Sequence, residues 1–486
     1  MKNTNLLILM ADEHSKKMLG CYGHPTVKTP NLDRLAADGV RFSNAYTNSP
    51  LCVPARASLA TGRYVHETGC WDNAIAYNGK IPGWGHKLQQ AGNPVVSIGK
   101  LHYRYEYDPT GLDEQIIPMH IADGIGDVHG SLRPDVPVRY QSRKYVEEVG
   151  PGETPYIAYD LNIADHACRW LKNKGENKED KPWVLFVSFI CPHFPLIVPQ
   201  KYFDMYPVDE IPMPKEADRE LFDTHPWWKA FNDSYIFDQY FENDHHRRTA
   251  IASYLGLCTF NDDNIGQVLA ALDESGLAAD TRVAYFSDHG DNMGARGLWG
   301  KSTMHEESAG IPMILRGPGL PRGKVVSTPV SLVDIYPTVL ECAGASSLGE
   351  AGLPGDSLLD IATSDDNPER MVLSEYHGAA SISAAYMLRK GKFKYVNYTY
   401  YDPELYDLEA DPEELRNLAN DDSYASILGE FEKLLRATLN PEQVDKRAKH
   451  DQEKYVEEHG GRENILMKGG IHGTPVPGEK SELIAN

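Results

Sequence analysis

The sequence has few of the features that mark secreted or membrane-spanning proteins. It contains 7 cysteines in 486 residues. They are scattered, odd in number and without a Cys-x-x-Cys pair, which argues against a disulfide framework or a cysteine zinc site. The longest apolar run near the N-terminus, residues 6–11, is too short for a signal peptide or a membrane span. We therefore expect a cytoplasmic protein with no membrane partner.

Basic residues are also scarce. Lys and Arg number 48 against 70 Asp and Glu, which gives a formal net charge of −22. Proteins that follow a nucleic acid backbone need clustered Lys and Arg, so we expect no nucleic acid partner. A small anion is still compatible with this charge, because a local basic pocket can bind one inside an acidic protein.

Short apolar segments alternate with helical patterns over residues 1–345. Nearly continuous apolar runs are typical of strands buried on both faces of a mostly parallel sheet, and they occur at 6–10, 95–98, 184–190, 283–287 and 312–316. Apolar spacings of three and four residues, with helix start and stop signals, predict helices over 30–38, 160–174, 247–275 and 331–343. This alternation predicts an α/β sandwich. The segments 102–155 and 199–245 are candidate insertions that cover a substrate.

The pattern changes after about residue 365. Residues 386–389, 393–398 and 405–407 predict a small antiparallel sheet, followed by a helix over 423–439. The charged, Gly- and Pro-containing stretch 441–486 predicts disorder or an arm that grips a partner subunit. We therefore divide the chain into a main α/β domain (1–365), a C-terminal antiparallel-sheet subdomain (366–440) and a tail (441–486).

Residues 51–63 read Leu-Cys-Val-Pro-Ala-Arg-Ala-Ser-Leu-Ala-Thr-Gly-Arg. Pro54 suits the first turn of a helix, which places Cys52 at the helix N-terminus, where unpaired amides and the helix dipole favour an anion. Arg56, one turn further, can turn its permanently charged guanidinium to the same point. The alternative is that Cys52 is a buried structural thiol and Arg56 a surface ion-pair partner.

Two acidic segments follow predicted strands that are far apart in the sequence. Asp12-Glu13 follows the first strand, and Asp288-His289 follows the strand over 283–287. Carboxylates that converge at the ends of neighbouring strands are usually cation ligands, although capping of helices is the alternative. We predict Asp12, Asp288 and His289 as metal ligands and leave the role of Glu13 open. Oxygen ligands suit calcium, whereas an imidazole moves the preference toward manganese.

The Cys-x-Pro-x-Arg motif followed by Thr-Gly-Arg resembles the signature of the formylglycine-dependent sulfatases of the alkaline phosphatase superfamily, and the resemblance covers nearly the whole chain. Further matches are Asp12, the Asp288-His289 pair, Gly99-Lys100-Leu101-His102, Pro192-His193-Phe194-Pro195 and Lys301. The resemblance implies an alkaline-phosphatase-like sandwich whose catalytic domain is 1–365. It also implies that a formylglycine-generating enzyme oxidises Cys52 to an aldehyde, which becomes a further ligand of one divalent metal ion.

The resemblance also implies roles for the remaining residues. One hydroxyl of the hydrated aldehyde attacks sulfur, while Arg56, Lys100 and Lys301 hold the nonbridging oxygens. His193, helped by Lys301, protonates the departing alcohol, and His102 takes a proton from the second hydroxyl, which expels sulfate. The Asp-His pair is similar to that of choline sulfatases and phosphonate monoester hydrolases, and similarity to the former suggests Asn73 as a substrate contact.

We therefore expect a sulfatase for a small aryl or alkyl sulfate ester, with choline sulfate among the candidates, acting as a homodimer or homotetramer. Two alternatives remain open: a phosphonate monoester or phosphodiester hydrolase with the same site, and a metal- and anion-binding protein without turnover. An aromatic face for an aryl ring or a quaternary ammonium is a further expectation, and its candidates, which can equally be core residues, are Trp71, Trp84, Tyr103, Tyr105 and Tyr107.

Overall fold

The computed structural model describes residues 3–177, 180–216 and 219–484. Within these residues the central sheet has eight strands, numbered here in chain order: β1 (Asn5–Asp12), β2 (Val40–Phe42), β3 (Val95–Lys100), β4 (Glu114–Met119), β5 (Val184–Pro192), β6 (Thr281–Ser287), β7 (Met313–Arg316) and β8 (Lys324–Val326). Their order across the sheet is β8-β2-β7-β6-β1-β5-β3-β4. Strand β7 is antiparallel to both of its neighbours, and the other pairings are parallel. The predicted mostly parallel sheet is confirmed.

The central strands are apolar on both faces because each face of the sheet has its own core. In β1, Leu6 and Ile8 pack in the core on one face, whereas Leu7 and Leu9 pack in the core on the other. Successive side chains of a strand point to opposite faces, so a strand covered on both sides needs a continuous apolar run. This is why the run at 6–10 was a reliable strand signal.

Helices cover both faces of the sheet. One core contains side chains of Pro30–Ala37, Pro155–Glu176 and Asp244–Glu274, and the other contains side chains of Cys52–Thr61, Trp84–Ala91, Ile335–Cys342 and Leu358–Thr363. The remaining helices before residue 365 are Val65–Thr68, Ser142–Glu147, Gln200–Phe203, Arg219–Thr224, Pro226–Ser234 and Glu306–Ala309. Among helices in the described ranges, none combines the length and the apolar character needed to cross a bilayer.

One predicted helix starts later than expected. The structure has a helix at Ile335–Cys342 in place of 331–343, because Val330–Ser331 pairs as a short strand with Ala45–Tyr46. A single turn of 3-10 helix, Leu332–Asp334, joins this strand to the helix.

The C-terminal subdomain contains the predicted small antiparallel sheet. Its strands lie in the order Val372–Tyr376, Ala385–Lys390, Phe393–Tyr398 and Glu404–Asp407, and the helix Ala425–Thr438 follows. The first of these strands was not predicted from the sequence.

Disorder after residue 440 is a wrong prediction for the described residues. The chain forms the helices Pro441–Glu458 and Gly461–Lys468, and Gly470–Ile471 then pairs with Leu483–Ile484. The first helix is mostly charged, but it buries one stripe of side chains at a spacing of four residues, namely Val444, Ala448, Gln452 and Val456. One buried stripe is enough to hold a charged helix on the protein surface. Contact of this segment with a partner subunit stays a prediction.

Candidate active site

The candidate site lies at the carboxyl ends of the central strands. Strands β1 and β6 are adjacent and parallel, with Ala11 opposite Ser287, so the next residues, Asp12 and Asp288, lie side by side. On the other side of β1, Asp12 is opposite Pro192 of β5. The sheet order therefore brings together loops that are far apart in the sequence.

Asp12, Cys52, Asp288 and His289 form one buried group whose ligand atoms all lie within 4.8 Å of one another. His289 Nε2 is 3.1 Å from Cys52 Sγ and 3.8 Å from Oδ1 of each aspartate. This spacing suits donors around one ion, since metal–ligand distances of roughly 2.0–2.6 Å separate two ligands by roughly 3–4 Å. His289 Nδ1 donates to the carbonyl of Gly290 at 3.0 Å, which leaves the Nε2 lone pair for the group.

Arg56 contacts both aspartates of this group, Asp12 and Asp288. Its Nη2 donates to Asp12 Oδ2 at 2.9 Å and its Nε to Asp288 Oδ2 at 2.8 Å. Its Nη1 donates to the Lys100 carbonyl and to Ser188 Oγ. The guanidinium thus orients the two carboxylates, and it is not part of the cavity lining. The sequence-based role of Arg56, contact with sulfate oxygens, stays a prediction.

Cys52 begins the helix Cys52–Thr61, which is buried over its whole length. The amide of Val53 donates to Asn73 Oδ1 at 3.1 Å, and that of Ala55 donates to the Leu51 carbonyl. The unpaired amides predicted for this helix start are therefore not found at these two positions. Asn73 lines the cavity and at the same time caps the helix.

The glycine in the Thr-Gly-Arg part of the motif, Gly62, is required by the structure. Gly62 follows the helix with a φ of 68° and its amide donates to the Ser58 carbonyl, which ends the helix in a left-handed cap. A Cβ atom at this position would lie 2.8 Å from Cβ of Tyr336. Both the turn and the packing therefore require glycine.

Three charged or ionisable side chains lie close together near Cys52, namely Lys301, His193 and Glu13. Lys301 Nζ is 3.3 Å from Cys52 Sγ and 2.9 Å from Glu13 Oε2. His193 Nε2 is 3.3 Å from Glu13 Oε2. The Nδ1 atom of His193 donates a hydrogen bond to the Phe194 carbonyl at 2.6 Å. Glu13 is not part of the four-residue group, and it forms a second group with Asp12 and His193 whose ligand atoms also lie within 4.8 Å of one another.

Burial and neighbouring charges set the protonation of the site. Burial, reinforced by Asp12, raises the pKa of the Cys52 thiol to about 11. Lys100 and other cations outweigh burial and hold the pKa of Asp12 well below its usual range. Burial, reinforced by Lys301, lowers the pKa of His193. Despite the burial of Lys301, the acidic side chains of Cys52, Glu13 and Asp12 raise its pKa. At neutral pH the site therefore holds a thiol, an aspartate anion, a neutral imidazole and an ammonium group.

His102 approaches the site from the loop after β3, with a left-handed backbone (φ 54°). Its Nε2 is 2.9 Å from Oγ1 of Thr474, and the Thr474 carbonyl accepts a hydrogen bond from Tyr156 at 2.6 Å. Thr474 and His472 both line the cavity, so the last part of the chain completes the site. Neither residue could be predicted from the sequence, since nothing in the charged tail marks them as functional.

We expect Thr474→Val to lower kcat on the order of tenfold while KM changes little. The change removes the hydroxyl that orients the His102 ring, and a well-placed base contributes about 10²–10⁴-fold to a rate. Steady-state kinetics on a sulfate ester measure this effect. Thr474→Ser keeps the hydroxyl and should retain the wild-type kcat, so equal values for the serine and valine variants would contradict the positioning role.

The site opens into a cavity of about 120 Å³. Six of the residues predicted from the sequence line it, namely Cys52, Asn73, Lys100, His102, His193 and Lys301. Its aromatic wall consists of Tyr145, Phe194, Tyr235, Phe237 and Trp299. The segments 102–155 and 199–245 both contribute to the lining, and their predicted role in covering a substrate stays a prediction. None of the five candidates for an aromatic face is part of this lining, namely Trp71, Trp84, Tyr103, Tyr105 and Tyr107. The alternative, packing in the core, is confirmed for Trp84 and Tyr103, and Tyr107 is exposed.

Comparison with known proteins identifies the family. The Sulfatase family model matches residues 4–345. The chain belongs to the sulfatase family. A second model, the C-terminal region of N-sulphoglucosamine sulphohydrolase, matches residues 294–440 of this sulfatase.

Relatives of this sulfatase match it over most of their length and over most of this chain. A choline-sulfatase of Rhizobium meliloti is 33% identical over 424 residues, which cover 85% of this chain and 82% of that protein. Arylsulfatase K of Danio rerio is 29% identical, with 93% and 87% covered. The crystal structure of a phosphonate monoester hydrolase of Agrobacterium radiobacter matches with a TM-score of 0.72 at 26% identity, covering 90% of this chain and 96% of that one. The chain is thus a sulfuric ester hydrolase with the fold of the alkaline phosphatase superfamily.

Proposed function

We propose that this sulfatase hydrolyses a small sulfate monoester to an alcohol and sulfate, using formylglycine at position 52 and one divalent metal ion. The observation that carries this proposal is the position of Cys52. Its side chain lines the cavity and also lies within 3.6 Å of Asp12 Oδ1, His289 Nε2 and Lys301 Nζ. A group at this position can meet a substrate and a cation at the same time.

The residues around position 52 fit both formylglycine and a divalent metal ion. Formylglycine supplies, as its hydrate, one hydroxyl for attack on sulfur and a second that allows sulfate to leave. Asp12, Asp288 and His289 would hold the ion together with residue 52, and the ion would supply positive charge toward the sulfate oxygens. The carboxylates suit calcium, and the imidazole moves the preference toward manganese.

Lys100 and Lys301 are the side chains that can neutralise the sulfate group. Both line the cavity, and Lys301 keeps its charge because the acidic side chains around it, Cys52, Glu13 and Asp12, raise its pKa. A fixed cation aimed at developing negative charge is worth about 10²–10³-fold in rate. We propose that these two ammonium groups contact the nonbridging oxygens, together with Arg56 as predicted from the sequence.

The two histidines are suited to proton transfer at opposite ends of the reaction. Burial lowers the pKa of His102, so its ring is neutral at pH 7 and is ready to accept a proton. His193 would donate a proton to the leaving alcohol. Its pKa is low in the free protein because burial disfavours its charged form and Lys301 and Lys100 repel it, and a bound sulfate group, being negative, would raise it.

Mass spectrometry and kinetics together test the proposal. Protein made with a formylglycine-generating enzyme should carry the aldehyde in the peptide that contains residue 52, and should release sulfate over many turnovers. Absence of the aldehyde in an active enzyme would overturn the assigned chemistry. A metal- and anion-binding protein without turnover would release no sulfate at all.

The second candidate function is hydrolysis of phosphonate monoesters or phosphodiesters, which is favoured by the structural similarity to a phosphonate monoester hydrolase. We expect kcat/KM to be larger for 4-nitrophenyl sulfate than for 4-nitrophenyl phenylphosphonate. The two esters share one leaving group, so the ratio reports the preferred central atom. A ratio in favour of the phosphonate would reverse the assignment.

We further propose a cytoplasmic homo-oligomer, a dimer or a tetramer. Cell fractionation and light scattering of the purified protein test these two points independently of the chemistry.

A further inference from the structure

Glu13 is fully buried beside the site but has no role in the chemistry above. Its exposed fraction is 0%, and it is not among the residues that line the cavity. It follows Asp12 directly in the chain, yet it is not part of the four-residue group that suits an ion. A buried carboxylate needs partners that offset its loss of hydration. The partners of Glu13 therefore indicate what this residue does.

The backbone of Glu13 is held in an unusual conformation. Its φ is 67°, in the left-handed region that residues other than glycine seldom adopt. Its amide donates to Asp288 Oδ1 at 3.1 Å, and its carbonyl accepts a hydrogen bond from the Tyr254 hydroxyl at 2.6 Å. Strained conformations persist where surrounding contacts fix them, and they are frequent at active sites. The direction in which the Glu13 side chain leaves the backbone is therefore fixed.

One oxygen atom of Glu13 contacts two residues of the cavity lining. Glu13 Oε2 accepts a hydrogen bond from Lys301 Nζ at 2.9 Å and lies 3.3 Å from His193 Nε2. Lys301 and His193 both line the cavity, and Lys301 Nζ also lies 3.3 Å from Cys52 Sγ. The shared oxygen therefore holds the ammonium group and the imidazole at a fixed distance from each other, next to position 52.

The two partners differ in how much they depend on this contact. The Nδ1 atom of His193 donates to the Phe194 carbonyl, which orients the ring and leaves Nε2 to exchange a proton with the leaving alcohol. Lys301 has a flexible four-carbon chain, and its Nζ contacts Glu13 Oε2 and Cys52 Sγ. Conversion of Cys52 to formylglycine removes the sulfur atom, so the contact with Glu13 is the one of these two that remains.

We propose that Glu13 is a positioning residue and not a metal ligand, because its Oε2 atom holds Lys301 and His193 at the place where the alcohol leaves. The inference rests on the proposed sulfatase function, in which His193 protonates the leaving alcohol as its bond to sulfur breaks. It adds a residue that acts on this step without touching the substrate.

The test compares two sulfate esters whose leaving groups differ in acidity. 4-Nitrophenol is a far stronger acid than phenol, so the leaving oxygen of 4-nitrophenyl sulfate needs less protonation than that of phenyl sulfate. A well-placed acid contributes about 10²–10⁴-fold to a rate. We expect Glu13→Ala to lower kcat/KM about 100-fold for phenyl sulfate and at most about tenfold for 4-nitrophenyl sulfate. The metal content of this variant, measured by elemental analysis, should equal that of the wild type.

Two further variants separate the oxygen atom from the space that the side chain fills. Glu13→Gln keeps an oxygen acceptor of the same reach, so kcat/KM for both esters should stay within about threefold of the wild type. Glu13→Met keeps the length of the side chain without an oxygen and should reproduce the alanine result. The methionine variant also serves if the alanine variant fails to fold.

Glu375→Ala is the matched control. It removes an equally buried carboxylate, which contacts His66 and His377 and lies outside the cavity lining. This variant should lose thermal stability, and any change in kcat/KM should be the same for both esters.

Each remaining outcome counts against a specific part of the proposal. An equal loss on both esters in Glu13→Ala would indicate a merely structural role and overturn the inference, while the sulfatase function would stand. Loss of bound metal in that variant would make Glu13 a ligand of the ion and overturn the inference as well. A glutamine variant as slow as the alanine variant would exclude positioning through the shared oxygen. If wild-type protein with formylglycine at position 52 turned over neither ester, the proposed function would fail, and the inference with it.

Discussion

Replacing Cys52 by alanine is expected to abolish multiple turnover of sulfate esters, with a loss of at least about 10⁴-fold in kcat. Alanine cannot be converted to an aldehyde, so the variant lacks the attacking oxygen. The remaining cations can still bind the ester, and KM should change much less than kcat. Sulfate release over many turnovers, with 4-nitrophenyl sulfate as substrate, measures the effect.

Unmodified wild-type protein separates the effect of formylglycine on activity from the effect of replacing the cysteine. Wild-type protein made without a formylglycine-generating enzyme keeps the thiol of Cys52, whose pKa of about 11 leaves it protonated at neutral pH. We expect this protein to be as inactive as the alanine variant and to escape labelling by a carbonyl-reactive probe. Cys168→Ala, a half-buried cysteine on the helix Pro155–Glu176, should retain full activity. Sustained turnover by either form that lacks the aldehyde would contradict the assignment.

The central strands could be predicted from the sequence, and the outer strands could not. Strands such as β1 and β5 are covered on both faces, and this leaves a continuous apolar run in the sequence. The strand β4 lies at the sheet edge, is only partly buried and shows no such run. The short strands β2 and β8 at the other side contain too few residues to form a pattern. Sequence patterns therefore report burial, and edge strands have little of it.

The candidate site shows the same division. Asp12 and Asp288 could be placed together because each follows a strong strand signal, and the parallel neighbours β1 and β6 end at the same edge. Thr474 and His472 could not be assigned, since their place at the cavity depends on how the C-terminal segment packs against the rest of the chain. Such long-range packing leaves no periodic or motif signal in that segment.

The second large effect is expected at Asp12. Asp12→Asn keeps the shape of the side chain but removes the charge that pairs with Arg56 and Lys100 and that offers Oδ1 to the proposed ion. Loss of the ion removes several kcal/mol of electrostatic stabilisation, which corresponds to at least about 10³-fold in kcat/KM. Elemental analysis of the purified variant should show much less bound metal than the wild type, which gives a readout independent of activity.

Asp160→Asn is the matched control for this change. Asp160, on the helix Pro155–Glu176, is equally buried, but its carboxylate accepts hydrogen bonds from the amides of Ile190 and Cys191 in β5 and lies outside the metal-ligand group. Its replacement should lower thermal stability and leave the metal content unchanged. If Asp12→Asn bound as much metal as the wild type, residue 12 would not be a ligand. Its carboxylate would then act only as the counter-charge of Arg56 and Lys100, and Glu13 and His193 would become candidate ligands of the cation.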